Sequence, residues 1–193
     1  MTRFKNILYL SFFYLALLTN KSYADNFNYN SFNNHGILGL INMPSARFYD
    51  EGSFGITLYD GTPDQKITMT SSPYDWLEAS FFYMNIQNEP YPGYEYQDLK
   101  DKGFNLKFRI KEEGFFPALA VGINDIAGTG FYSGEYVVSS YELNNADFHL
   151  GIGWGTLNGL NDFKNPLSLL DERFKKEFPT LNNTFTVEKG RKY

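Results

Sequence analysis

The chain has 193 residues, the length of one domain by the usual ~100–200 residues per domain, and its 42% hydrophobic and 20% charged content excludes a disordered chain and a bundle of long apolar helices. Aromatic side chains make up 19%, which favours strands and interfaces, and the lack of cysteine removes disulfides, thiolate catalysis and Cys-ligated zinc. Lys and Arg number 17 against 22 Asp and Glu, a net charge of −5 with no basic cluster, so no nucleic-acid partner is predicted.

Residues 1–24 read as a secretory signal peptide. Arg3 and Lys5 form its basic start, Ile7 to Leu18 its apolar core, and Ser22-Tyr23-Ala24 the small-residue cleavage site, which makes Asp25 the expected mature N-terminus. The core is twelve residues long, about 18 Å as a helix against a ~30 Å hydrocarbon layer, so it is too short for a membrane anchor. Residues 25–52, rich in Asn and Gly, read as a lead-in. Residues 53–160 carry alternation with period two: Phe54, Ile56 and Leu58; the weaker run Gln65 to Thr70; Leu77, Ala79, Phe81 and Tyr83; Phe104, Leu106, Phe108 and Ile110; Leu119, Val121 and Ile123; the weaker run Glu135 to Tyr141; and Phe148, Leu150, Ile152 and Trp154. Turn signals separate them, among them Asp60-Gly61, Ser72-Pro73, Pro92-Gly93, Glu113-Gly114, Asn144-Asn145 and Asn158-Gly159. Seven antiparallel strands in a meander fit this spacing. Residues 161–193 read as irregular, with a short helix over Asp171 to Phe178 and an eighth strand conceivable at Thr184 to Val187.

The fold class is therefore all-β. A soluble sandwich and an outer-membrane β-barrel both alternate, and the second face separates them. Bulk water favours Lys, Glu and Asp there, whereas this second face holds Gly55, Ser80, Ala118, Ala120, Gly122, Gly151 and Gly153. Small residues facing a confined lumen, an export signal, and aromatics near strand ends (Trp76, Tyr83, Phe104, Tyr136, Tyr141 and Trp154) favour an outer-membrane barrel or the first part of one. Seven strands do not close a bacterial barrel, where even numbers from eight upward are the rule, so a truncated or split product is expected.

Catalytic chemistry has little footing. His35 and His149 are the two histidines, no Gly-x-Ser-x-Gly elbow accompanies Ser80, Ser133 or Ser139, and no metal-ligand spacing occurs. The expectation is a non-enzyme without catalytic, metal or cofactor residues. Asn124-Asp125 with Gly128 and Gly130 reads as a tight turn rather than a phosphate loop, because no helix follows. By parity Glu78, Lys107, Arg109, Asp147 and His149 face the lumen, as a salt-bridge prop or as a track for sugar hydroxyls and carboxylates. A lumen charge should be easily replaced, so Lys107→Gln is expected to cost far less than Leu106→Arg. Tyr91, Tyr94 and Tyr96, in a loop spanning Asn88 to Lys102, are candidates for stacking on sugar rings.

Several segments also resemble the YjbH family of exopolysaccharide and capsule biosynthesis proteins: Gly36 to Arg47 (GILGLINMPSAR), Trp76 to Ser80, Lys107-Phe-Arg109, and above all Pro117 to Asp125 with Gly128-Thr-Gly130 and Ser133-Gly-Glu-Tyr136. The resemblance implies an outer-membrane β-barrel that assists secretion or assembly of an extracellular polysaccharide. Its implied partners are outer-membrane lipid, the polysaccharide and other secretion proteins. Family members resemble lipoproteins with a processing-site cysteine, where this chain has Asp25. They are also several hundred residues long, so the sequence is similar to their N-terminal part. The rival readings are a structural barrel that anchors envelope components and a lipid-modifying enzyme.

Overall fold

The computed structural model describes residues 31–91, 94–143, 146–157 and 164–175. The expected signal peptide, its cleavage site and Thr184 to Val187 lie outside the described residues.

Two short strands, β1 (Gly39–Leu40) and β2 (Met43–Pro44), form a small hairpin. Seven more form one antiparallel meander: β3 (Ser53–Asp60), β4 (Asp64–Tyr74), β5 (Leu77–Tyr91), β6 (Tyr94–Lys111), β7 (Ala118–Ile126), β8 (Gly134–Leu143) and β9 (Ala146–Gly153). Spatial order follows chain order, β3 to β9, and the sheet curls into half a barrel. The seven predicted strands are thus present in the predicted order. The two weaker runs are full strands, β4 and β8.

Alternation decides the faces. Along β3, Phe54, Ile56 and Leu58 are exposed on the convex side, and along β4 Lys66, Thr68, Thr70 and Ser72 are buried on the concave side while Ile67 and Met69 are exposed. Phe104 and Ile110 of β6, Val137 of β8, and Phe148, Leu150 and Ile152 of β9 continue the exposed apolar surface. A water-soluble sheet of this size would cover such a face.

Two expectations are corrected. The segment from Asn88 to Lys102 is not a loop: β5 and β6 continue their ladder to Tyr91↔Tyr94, with register shifts on either side of Pro90. Tyr136 and Trp154 are buried instead of sitting in an outer girdle, Tyr136 on the concave face with its ring against Gly122. Trp76, Tyr83 and Phe104 do face outward. Of the short helix expected over Asp171 to Phe178, the described residues form a 3-10 turn at Glu172–Lys175, and another 3-10 turn, capped by the Asn165 side chain, spans Pro166–Leu169.

Candidate functional site

The concave face is filled by the lead-in. Residues 33–48 cross it from one side of the sheet to the other, and small inward residues make room for the passing backbone. A Cβ at Gly55 would meet the Phe32 ring at 2.7 Å, and Gly36, at φ +73, lies directly against Thr68. Ile37, Ala46 and Phe48 pack with Ala118, Ala120, Tyr136 and Val138 into an apolar core. The small second face seen in the sequence therefore serves a packed ribbon of chain.

Polar inward groups bind that ribbon mainly through its backbone. The hydroxyl of Thr70 donates to the Gly36 carbonyl, and the Asn105 amide donates to the His35 carbonyl at 3.4 Å and to Ser80 at 2.9 Å. At the centre, Lys107 Nζ lies 3.1 Å from Glu78 Oε1, both side chains 0% exposed. Glu78 Oε1 also accepts the Leu38 amide at 3.1 Å; Lys107 donates to the Arg47 carbonyl at 2.8 Å and to that of Leu38 at 3.4 Å. The Phe48 ring is approached by two cations, Lys107 at 4.6 Å and Arg109 at 4.7 Å from its centre. Arg109 also reaches Glu112 at 2.8 Å and Asp75 at 3.8 Å.

Arg47 closes the far side. Its guanidinium donates to both carboxylate oxygens of Asp147, at 2.9 and 2.6 Å, and pairs with Glu113 at 2.5 Å. The Asp147 hydrogen bond raises its pKa above the ordinary arginine value, against the burial that lowers it. Beside it the Ala46 amide donates to Ser140 Oγ at 2.8 Å, Ser140 Oγ lies 2.7 Å from His149 Nδ1, and His149 Nε2 lies 3.5 Å from Asp147 Oδ2. With a neutral imidazole protonated on Nε2, Ser140 donates to His149 while accepting from Ala46.

The other end is roofed by the β7–β8 connection. Phe131 and Tyr132 pack on Phe82, Met84, Ile86 and Leu99, and Lys66 faces the rings of Phe82 and Tyr132 at 5.5 and 5.1 Å. Tyr132 donates its hydroxyl to Asp64 at 2.6 Å. Asp125, at φ +58, accepts the Tyr132 amide at 3.1 Å, and a Cβ at Gly128 would stand 1.9 Å from Asp125 Oδ1. The Asp-Gly block is a turn closed on its own carboxylate, as the sequence suggested.

Of the predicted site residues, Glu78, Lys107, Asp147 and His149 do face inward, and all four hold or adjoin the lead-in. Arg109 lies at the same end. The ease expected of Lys107→Gln is corrected by this burial, since the ammonium is fully enclosed with its counter-charge. Tyr96 is fully exposed on the long β5–β6 hairpin; the side chains of Tyr91 and Tyr94 lie outside the described residues. Sequence reasoning missed Arg47, Phe48, Asn105 and Ser140. The signal for the first two was available: Gly36 to Phe48 is an apolar run with one cation, unlike solvent-exposed lead-ins.

A sequence model of the YjbH family, described as exopolysaccharide biosynthesis protein YbjH, matches residues 31–190, from within the lead-in to beyond β9. The chain belongs to the YjbH family. It is 35% identical over 144 residues, 72% of its length, to a protein of Escherichia coli (strain K12) described as the uncharacterized lipoprotein YjbH, of which the matched stretch covers 21%. The chain thus spans about a fifth of that YjbH relative. No solved structure matches it. The family match includes both the lead-in that fills the concave face and the strands that receive it.

Proposed function

We propose that this YjbH-family chain lies in the bacterial outer membrane after export through a cleaved signal peptide, and assists secretion or assembly of an extracellular polysaccharide or capsule without a chemical step of its own. One observation carries the membrane reading: the convex face is an uncharged apolar band while the polar groups point inward. From Leu77 to Tyr83 of β5 the band runs about 20 Å along the strand, or about 15 Å at a ~40° tilt, and the exposed Trp76, Phe115 and Phe116 extend it at the β5 start, against the ~25 Å apolar band of outer-membrane barrels. Charge returns at its borders, at Lys102 beside Tyr83 and at Asp60 on one side and at Asp75 and Glu112 on the other. The family's link to exopolysaccharide biosynthesis supplies the process.

Glu78, Lys107, Asp147 and His149 act in this reading as the anchor of the lead-in. A sugar reaches them once that segment moves aside. Tyr96, with Tyr91 and Tyr94 on the same hairpin, is the more accessible candidate for contact with the polymer. Deleting the gene should lower extracellular polysaccharide, and in the undeleted strain the protein should float with outer-membrane vesicles. Wild-type polysaccharide with a membrane-bound protein favours the structural anchor; a protein that stays with the aqueous fraction refutes the membrane reading.

The arrangement of Ser140, His149 and Asp147 favours a second reading, a lipid hydrolase with Ser140 as nucleophile. Against it, Ser140 is 1% exposed, sealed by the Ala46 amide, and Asp147 is committed to Arg47. Ser140→Ala should leave envelope lipid turnover unchanged; its loss would establish the hydrolase.

A further inference from the structure

We infer that β3 and β9 are seams for a different β-segment, one that supplies an odd number of strands, at least three, and is not a second copy of this chain. The inference rests on the outer-membrane reading above, because bilayer burial forbids unpaired strand edges. Among the described residues β3 pairs with β4 alone and β9 with β8 alone, so Ser53–Asp60 and Ala146–Gly153 each present one unpaired edge.

Direction decides the class of partner. Six antiparallel steps separate β3 from β9, so the two edges run the same way. A partner that meets both edges antiparallel must begin and end with strands of the opposite sense, and therefore contributes an odd number of strands. A second copy inserted the same way up also brings seven strands, but its own edges run parallel to these, which creates two parallel seams in an antiparallel barrel. An inverted copy pairs correctly and is forbidden by common insertion from the periplasm.

Width sets the minimum number. An eight-stranded barrel has an interior just wide enough for side chains. Here the concave face holds backbone as well: the β1–β2 hairpin and residues 45–48, tied to Thr70 of β4, to Glu78 and Lys107, and to Asp147 of β9. One added strand would leave no room for this ribbon, so ten strands or more are required and the partner supplies three, five or more. Three membrane strands take about 30 residues at ~9–11 each. No described residue pairs with either edge, and once residues 1–24 are cleaved none of the remaining undescribed stretches (25–30, 158–163 and 176–193) alone reaches that length, so the segment comes from further polypeptide. The E. coli relative has polypeptide of that scale beside the corresponding stretch, which is 21% of its length.

Amide hydrogen exchange on the unmodified chain, reconstituted alone in vesicles of phosphatidylethanolamine and lipopolysaccharide, tests the seams. Flotation scores membrane insertion separately, so failure to float counts against the membrane reading and not the strand arithmetic. Alone, β3 and β9 should exchange at least 100-fold faster than the centre of β5 and β6. In the form extracted from its own envelope in mild detergent, both edges should become protected together, in a species that carries at least about 30 residues of additional polypeptide. The chain has no cysteine, so Thr57→Cys and Leu150→Cys should each cross-link to that same species. Protected edges in the isolated monomer, a cross-link between Thr57→Cys of one copy and Leu150→Cys of another, or open edges in the envelope-extracted form would each overturn the proposal.

Discussion

Lys107→Met, Glu78→Gln and the double variant probe the centre of the concave face. Lys107→Met leaves the Glu78 carboxylate enclosed without its counter-charge and removes the donor to the Arg47 carbonyl, 2.8 Å away. Breaking one side of a buried pair costs about 3–5 kcal/mol. Glu78→Gln keeps an acceptor for the Leu38 amide but leaves an enclosed ammonium on two carbonyls and the Phe48 ring, a loss of about 2–3 kcal/mol for charged hydrogen bonds. The double variant holds no buried charge at this position and should lose about 1–3 kcal/mol, less than the sum of the singles by at least about 2 kcal/mol. Urea unfolding in detergent micelles, followed by the fluorescence of Trp76 and Trp154, measures all four proteins. Amide exchange at Leu38 assigns the loss to the lead-in. Singles that add to the double within about 0.5 kcal/mol would refute the pairing.

Gly128→Ala should cost about 1–3 kcal/mol, because its Cβ meets the Asp125 carboxylate at 1.9 Å and the Lys102 carbonyl at 2.5 Å; thermal unfolding compared with Gly114→Ala, where the space is open, checks it. Burial, with Lys66 nearby, lowers the His35 pKa from 6.5 to about 4. Between those values the unfolded chain binds a proton that the folded one excludes, so stability falls as pH drops from about 6.5 towards 4, by on the order of 2 kcal/mol at pH 5. His35→Gln should flatten that part of a pH–stability curve, and an unchanged slope would reject the assignment. Leu106→Arg, on the outward face of β6, should cost about 2–4 kcal/mol near the bilayer midplane; refolding yield in vesicles reads it, and a change below about 0.5 kcal/mol would deny that the face meets lipid.

Period-two alternation placed Lys107 inward and Leu106 outward with no structural information, because the pleat leaves a strand residue only two sides. It said nothing of what Lys107 would touch. Its partners lie on β5 and on the lead-in, and the lead-in has no alternation to read: Gly36 to Pro44 folds through a short hairpin and is held by backbone atoms, which carry no side-chain signature. The same limit explains Tyr136. Its place near a strand end suggested a girdle, but the glycine opposite it, Gly122, makes room on the inner side for its ring. Between Asn88 and Lys102 the density of Pro, Gly and Asp suggested a loop, yet the β5–β6 ladder absorbs Pro90 by shifting register, an adjustment that pairing supplies and local propensity does not. Resemblance reached the family because the turn motif from Asn124 to Tyr136 is fixed by close contacts, such as Gly128 on Asp125, that few residues satisfy.

The lead-in also carries a consequence for the order of folding. Ala46 finds Ser140 94 residues later, and Arg47 finds Asp147 100 residues later, whereas every neighbouring pair of strands in the meander meets across a short connection. Closing loops of that length costs entropy that local hairpins do not pay, so the hairpins form early and the lead-in settles late. The lead-in, although it precedes the strands, thus completes its contacts last, after β9 has taken its place. A protein stalled before that strand arrives keeps Arg47 without Asp147, and protease cleavage near Arg47 then reports whether the final strand has docked.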